Sequence, residues 1–175
     1  MKIGLCGTMS VGKTTLVNAL KELPEFKDYQ LSTERSKYLN SLGIPLNHET
    51  TIEGQTIFLA ERVSEIMQEN IITDRTILDV IAFTKLAKKI NYIGEEKFYT
   101  YASEFLGKYD YIFYISPEGI DIEDNGIRET DKQYRKDIDY IIQQLIFKHG
   151  SGRNWHTISG STEERIKQIM EIIKF

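Results

Sequence analysis

Gly7-Thr8-Met9-Ser10-Val11-Gly12-Lys13-Thr14 is the stretch from which the rest of the chain is read. Two glycines five apart, then a lysine and a hydroxyl residue, form the pattern of a loop that cradles phosphate. Each residue type has a physical reason. Gly7 and Gly12 let the backbone wrap with its N–H groups turned inward toward anionic oxygens. Lys13 brings a point charge to the β- and γ-phosphates, and the Thr14 hydroxyl is a ligand for Mg²⁺. Residues Gly7, Thr8, Met9, Ser10, Val11, Gly12, Lys13, Thr14 and Thr15 are therefore the candidate nucleotide-binding set. The cofactors they imply are ATP and Mg²⁺. Chance produces such a pattern in roughly one chain in 200 of this length.

The flanks fit the same reading. Residues 2–6 are a short apolar run that reads as a buried strand. Residues 13–23 carry Leu16, Val17, Ala19, Leu20 and Leu23 at helical spacing, stopped by Pro24. A helix starting there aims its positive end at bound phosphate. Outward from the loop, strands are expected over 29–33, 71–73, 109–115 and 155–158. Helices are expected over 36–42, 51–70, 77–86 and 95–106, the second with Ile52, Leu59, Val63, Ile66 and Met67 on its apolar face. A capping box at 130–133 opens another helix, which Gly150 closes, and Ser161 with Glu164 caps the last. Strands alternating with helices imply parallel βαβ units. The expected fold class is α/β, a three-layer P-loop NTPase fold. Its five-stranded parallel sheet carries helices on both faces, in a single domain over 1–175.

In an open α/β sheet, ligands sit beyond the carboxyl ends of the strands. Glu34-Arg35 follow strand two and Asp74-Arg75 follow strand three. Asp74 fits a carboxylate that orients Mg²⁺, or else a cap for the next helix. Glu34 fits a general base or hydrogen-bond partner for an acceptor hydroxyl, or a solvated charge. Arg75 fits an acceptor phosphate or a neighbouring carboxylate. Gln55, Phe58 and Arg62 share a helix face beside these strand ends and are candidates to touch an acceptor. Arg128 and Arg135 bracket the start of a helix and are candidates to neutralise a transferring phosphoryl group.

Composition narrows the function classes. One cysteine, Cys6, excludes an internal disulfide and fits a reducing, cytoplasmic setting. No apolar run approaches the ~20 residues of a membrane span, so no membrane role is expected. The net charge of −4 gives no global field favouring nucleic acid. Three histidines, His48, His149 and His156, have no metal-ligand spacing. The Asn-Lys-x-Asp guanine motif is absent, which argues against a GTPase switch.

Taken together, the loop and four further stretches resemble a known family. These are Glu34-Arg35, Asp74-Arg75-Thr76-Ile77-Leu78-Asp79 with Phe83, residues 109–117, and residues 122–128 with Tyr134-Arg135. Residues 158–165 extend the match to the end of the chain. The resemblance is to the small P-loop ATPase/kinase family that includes the ribosylnicotinamide kinase domain of NAD-biosynthesis proteins. It implies a nucleoside- or nucleotide-kinase core with a helical lid over about 119–136. In that frame Lys13 and Thr14 hold phosphates and Mg²⁺, and Asp74 sits at the catalytic centre. Arg128 and Arg135 are lid arginines, and residues 158–162 lie near the adenine. Asp74-Arg75 also resembles thymidylate kinases, but Thr76 stands where those have an aromatic residue. The expected activity is ATP- and Mg²⁺-dependent phosphoryl transfer. The expected acceptor is a small nucleoside or nucleotide held by Glu34, Arg35, Gln55 and Arg75. Two alternatives stand beside it: a kinase of a hydroxylated base in DNA, with Lys85, Lys88, Lys89 and Lys97 as a basic face, and a regulatory ATP-binding module. Oligomeric state stays open, a homodimer included.

Overall fold

Strand β1 (Lys2–Cys6) lies at the centre of the sheet, and that placement organises the molecule. A computed structural model describes residues 1–33, 35–121 and 131–173. Within them the elements run β1, α1 (Lys13–Lys21), β2 (Gln30–Ser32), α2 (Ser36–Ser41), α3 (Ile52–Ile66) and β3 (Ile71–Asp74). They continue with α4 (Ile77–Lys85), α5 (Tyr92–Ser103), β4 (Tyr111–Ile115), α6 (Lys132–His149), β5 (Trp155–Ile158) and α7 (Thr162–Ile172). The strands form one parallel sheet in the order β2-β3-β1-β4-β5. The expected α/β architecture is therefore present. Leu5 is in register with Asp74, so the loop after β1 and the end of β3 emerge side by side.

Side chains of adjacent strand residues point to opposite faces, and the core splits accordingly. Ile3 and Leu5 of β1, Ile72 of β3 and Phe113 and Ile115 of β4 pack with Leu16, Val17 and Leu20 of α1 and Ile169 of α7. Cys6, Ile112 and Tyr114 face the other way, into a core shared by α3, α4, α5 and α6. Both faces are covered, which is why these strands read as nearly unbroken apolar runs. Gly4 is needed on the second face. A Cβ there would lie 2.5 Å from Thr76 Cγ2 and 3.0 Å from the Tyr109 ring.

Several element boundaries differ from the sequence expectation by a few residues, and three of them affect the argument. Helix α3 ends at Ile66, so Met67 leaves the apolar face and is 78% exposed. Its buried side instead includes Gln55, Arg62 and Glu65. Helix α5 starts three residues earlier than expected, because the Asn91 side chain accepts from Gly94 N at 2.8 Å and caps it. Helix α6 is capped by Asp131, whose carboxylate accepts from Gln133 N and Tyr134 N. Thr130 of the expected capping box lies outside the described residues. The Ser161–Glu164 box of α7 forms as expected, each side chain accepting from the other residue's amide. Among the described residues, no helix is long and apolar enough to cross a membrane.

Candidate active site

Gly12, the N-cap of helix α1, holds a left-handed backbone (φ 80°) and gives no side-chain cap. The first-turn amides are thus left available to an anion. Lys13 folds back into its own loop, donating to Gly7 O at 2.8 Å and Thr8 O at 2.6 Å. Its side chain is only 6% exposed. Burial pushes its ammonium down to about 8, and the neighbouring Arg75 adds to the shift against opposition from Asp79 and Asp74. Beyond the loop opens a cleft of about 710 Å³. Residues 9–15 form one wall, residues 35–38 with Asp74 and Arg75 another, and residues 160–162 with Arg165 the far end. The segment expected near the adenine therefore lines the same cleft as the phosphate loop.

Asp74 is 1% exposed, and one carboxylate oxygen accepts a hydrogen bond from the Thr14 hydroxyl. It does not cap the next helix. Thr76 and Asp79 do that: Thr76 Oγ1 accepts from Leu78 N at 3.1 Å, and Asp79 Oδ2 accepts from Thr76 N at 2.7 Å. The cap of α4 is therefore complete without Asp74, which borders the cleft. Hydroxyl and carboxylate oxygens suit Mg²⁺, which binds through one or two protein oxygens and takes the rest of its shell from phosphate and water. No cluster of three or more His, Cys, Asp or Glu residues able to hold a metal occurs among the described residues, so an all-protein cage is not on offer there.

Asp79 serves the loop as well, since its Oδ1 accepts from Gly7 N at 3.2 Å. The sequence reading gave it no role. The signal was present, because Thr76-x-x-Asp79 is itself a capping-box spacing. Arg75 holds a left-handed backbone (φ 87°), a conformation that costs a non-glycine residue about 1 kcal/mol or more. Its guanidinium sits 5.0 Å from the Phe83 ring centre and 3.9 Å from Asp79 Oδ1. Arg75 borders both the cleft and a smaller side pocket of about 50 Å³ that Gln55, Phe58, Val80 and Phe83 also line. Gln55 is buried there, its amide nitrogen donating to Thr50 Oγ1 at 2.9 Å. Arg35 is half exposed, pairs with Glu61 at 3.2 Å and lies over the Tyr38 ring.

Arg62 does not join that pocket. It is 2% exposed, donates to the Asp74 carbonyl at 2.9 Å and pairs with Glu65 at 2.6 Å. Ser32 donates to the same Glu65 oxygen. Burial raises the Glu65 carboxyl, with Arg62 and Ser32 opposing. Arg62 thus fixes the end of β3 from behind instead of meeting an acceptor.

Arg135 reaches the loop from α6. Its Nε donates to Thr8 Oγ1 at 3.2 Å and its Nη1 to Ile120 O at 2.5 Å. The structure places it behind Thr8, beside a separate hollow at the end of β4 that Asp121, Lys132 and Asp139 also border. Arg165 flanks the opposite side of the loop and is a residue the sequence reading did not single out. Its Nη1 donates to Val11 O at 2.7 Å. Glu34 and Arg128 lie outside the described residues, as does the middle of the segment expected to form a lid. Of that segment, residues 132–136 form the opening turns of α6.

Solved structures share this architecture. Deoxyadenosine kinase from M. mycoides with bound dCTP superposes with a TM-score of 0.68 at 18% identity, over 98% of this chain and 97% of that one. NadR protein in complex with NAD and AMP-PNP superposes with a TM-score of 0.75 at 14% identity. That match covers 99% of this chain and 50% of NadR, so this chain spans half of that protein's length. At these identities the likeness establishes the fold, which is that of the P-loop kinases. No curated protein sequence matches the chain. A family model described as an AAA domain matches residues 2–165, from β1 through the phosphate loop and Asp74 to Arg165, and the chain therefore belongs to the AAA domain family.

Proposed function

We propose that this chain transfers the terminal phosphoryl group of ATP to a hydroxyl or phosphate oxygen of a small nucleoside or nucleotide. The observation that carries the reading is the position of Asp74. Its carboxylate meets Thr14 in the cleft, and its neighbour Arg75, with Phe83, borders both that cleft and the side pocket of Gln55 and Phe58. A cleft with a phosphate cradle thus shares Arg75 and Phe83 with an aromatic, amide-bearing recess. That is the arrangement that holds donor and acceptor in line.

In the proposed reaction the acceptor oxygen bonds to the γ-phosphorus while the bond to the bridging oxygen breaks and ADP leaves. The acceptor's proton passes to a carboxylate at the strand ends, Asp74 or Glu34. Thr14 and Asp74 would hold Mg²⁺, which would neutralise charge on the phosphates. Lys13 and the loop amides hold the donor, Arg75 and Gln55 orient the acceptor, Arg128 adds positive charge near the transferring group, and Arg135 steadies the loop through Thr8. The nucleotides held by the structural neighbours, dCTP and AMP-PNP, are in keeping with this assignment. A reducing cytoplasmic setting suits the buried Cys6, whose thiol burial pushes well up.

A DNA acceptor is less favoured. Of the lysines expected to make a basic face, Lys85 pairs with Glu95 at 2.6 Å and Lys89 with Glu49 at 3.0 Å. Half of that charge is spent on neighbours. The test is ADP release from ATP with nucleosides, nucleoside monophosphates, ribosylnicotinamide and hydroxymethylated DNA offered in turn. Release that depends on a small acceptor supports the reading. ATP binding with no acceptor-dependent release points to the regulatory module instead.

A pH dependence follows from Lys13. The loop lysine loses its proton near pH 8 in the free protein, so kcat/KM for ATP is expected to fall as pH rises through about 8. Bound phosphates favour the charged form, so kcat should hold to higher pH. Equal decline of both parameters would show that Lys13 is not the group responsible.

A further inference from the structure

Arg165 is a buried cation that lacks a matching anion among the described residues. It is 4% exposed, yet among the described residues no carboxylate forms an ion pair with it. Burial alone pushes its guanidinium down, with no opposing charge. Arg135, by contrast, has Asp139 and Asp121 to oppose the same effect. The one contact made by Arg165 Nη1 is to a backbone carbonyl, Val11 O, and its Nε is buried with no partner. An uncompensated buried charge is expensive, and proteins keep one where something else balances it.

The surroundings say what that is. A Cβ on Gly12 would lie 3.2 Å from Arg165 Nη1, so the guanidinium lies against the left-handed turn that opens α1. Arg165 also lines the end of the cleft formed by residues 160–162. By holding the Val11 carbonyl, it keeps that acceptor from competing with phosphate for the loop's donors. We infer that Arg165 is a positioning residue of the nucleotide site, bracing the loop at Val11 and Gly12 while the phosphates of bound ATP supply its counter-charge. Nucleotide binding is thereby tied to α7, which packs on α1 far along the chain. The inference rests on the reading of the cleft as an ATP site.

The test compares the native chain with Arg165→Gln and Arg165→Lys. Binding of Mg²⁺ and a fluorescent ATP analogue is titrated, and thermal unfolding is followed with and without ATP. Loss of a charge-assisted contact is expected to weaken binding in the glutamine variant roughly ten- to a hundredfold. The Tm without nucleotide should hold or rise, because a costly buried charge is gone, and the upward shift produced by ATP should shrink. Lysine, which keeps the charge and one donor for Val11, should recover most of the affinity. A glutamine variant that binds as tightly as the native chain overturns the inference. So does a lower Tm without nucleotide alongside unchanged affinity, since that marks a brace with no part in binding. Failure of the native chain to bind the analogue would instead overturn the ATP-site reading itself, and the inference with it.

Discussion

Lys13→Ala is expected to lower ATP-dependent phosphoryl transfer by about 10²- to 10³-fold while the chain still folds. The first half follows from what Lys13 supplies. Its ammonium is buried inside the loop that cradles phosphate, where a charge acts with little screening from water. Removing one preorganised donor from such a site is worth about 3–4 kcal/mol of transition-state stabilisation. The second half follows from the energetics of the folded state. A lysine whose folded pKa is depressed opposes folding. That unfavourable contribution is present in full below about pH 8 and is relieved between there and its ordinary value of 10.5. The shift corresponds to about 3 kcal/mol at neutral pH. Alanine removes that penalty but leaves Gly7 O and Thr8 O without their donor, a loss of about 1–2 kcal/mol each. The two effects nearly cancel. Circular-dichroism melting should therefore show a Tm within a few degrees of native, and a coupled ADP-release assay should show the activity gone. A variant that keeps a tenth of native turnover would rule Lys13 out as a phosphate ligand.

The phosphate loop, the strands and most helix boundaries were legible because they rest on local signals. Glycines, caps and apolar runs each report on the few residues around them. The strand order was not legible. Nothing in residues 2–6 says that β1 lies between β3 and β4, yet that placement sets Leu5 beside Asp74 and so brings Thr14 to the carboxylate. The sequence offered Asp74 two roles, magnesium ligand or helix cap. The structure removes the second, because Thr76 and Asp79 take the cap.

What the sequence hid has one physical form in two places. Gln55 and Arg62 stand in the apolar register of α3 with Leu59 and Ile66, and Arg165 stands in that of α7 with Ile169 and Ile173. The sequence reading takes Gln55 and Arg62 as acceptor contacts and passes over Arg165, because charged side chains usually mark an exposed face. Here the break in the apolar register is the signal. Arg62 is buried because the Asp74 carbonyl and Glu65 take its donors, and Arg165 is buried because the loop lies against it. A charge at a core-facing helix position is a claim that something polar lies opposite. In this molecule Arg62 holds the end of β3 and Arg165 holds the loop after β1, the two segments that border the cleft. Arg135 shows the complementary limit. Its position at the start of α6 was legible, but its attachment to Thr8 depends on how α6 lies against the loop, which no local pattern records.

Asp74→Asn separates the two roles proposed for this residue, ligand to Mg²⁺ and acceptor of the hydroxyl proton. Asparagine keeps the size and can still accept from Thr14, and the Arg62 bond to the main-chain carbonyl at 74 is untouched. The fold should survive, and the helix cap cannot be affected because Thr76 and Asp79 supply it. Turnover should fall by about 10²-fold or more, since a carboxylate that steadies Mg²⁺ or takes the acceptor's proton is lost. The Mg²⁺ concentration for half-maximal activity should rise, while binding of ATP without Mg²⁺ should hold or tighten, because a negative charge has left the neighbourhood of the phosphates. A second consequence runs through Lys13. Asp74 is one of the groups that oppose the downward shift of its ammonium. With that charge gone, the lysine should lose its proton at lower pH, and the fall in kcat/KM should move below about pH 8 in step. Restored turnover at high Mg²⁺ would assign Asp74 to the metal, whereas low turnover at every Mg²⁺ concentration would assign it to the acceptor's proton. Native turnover in the asparagine variant would remove Asp74 from the chemistry altogether.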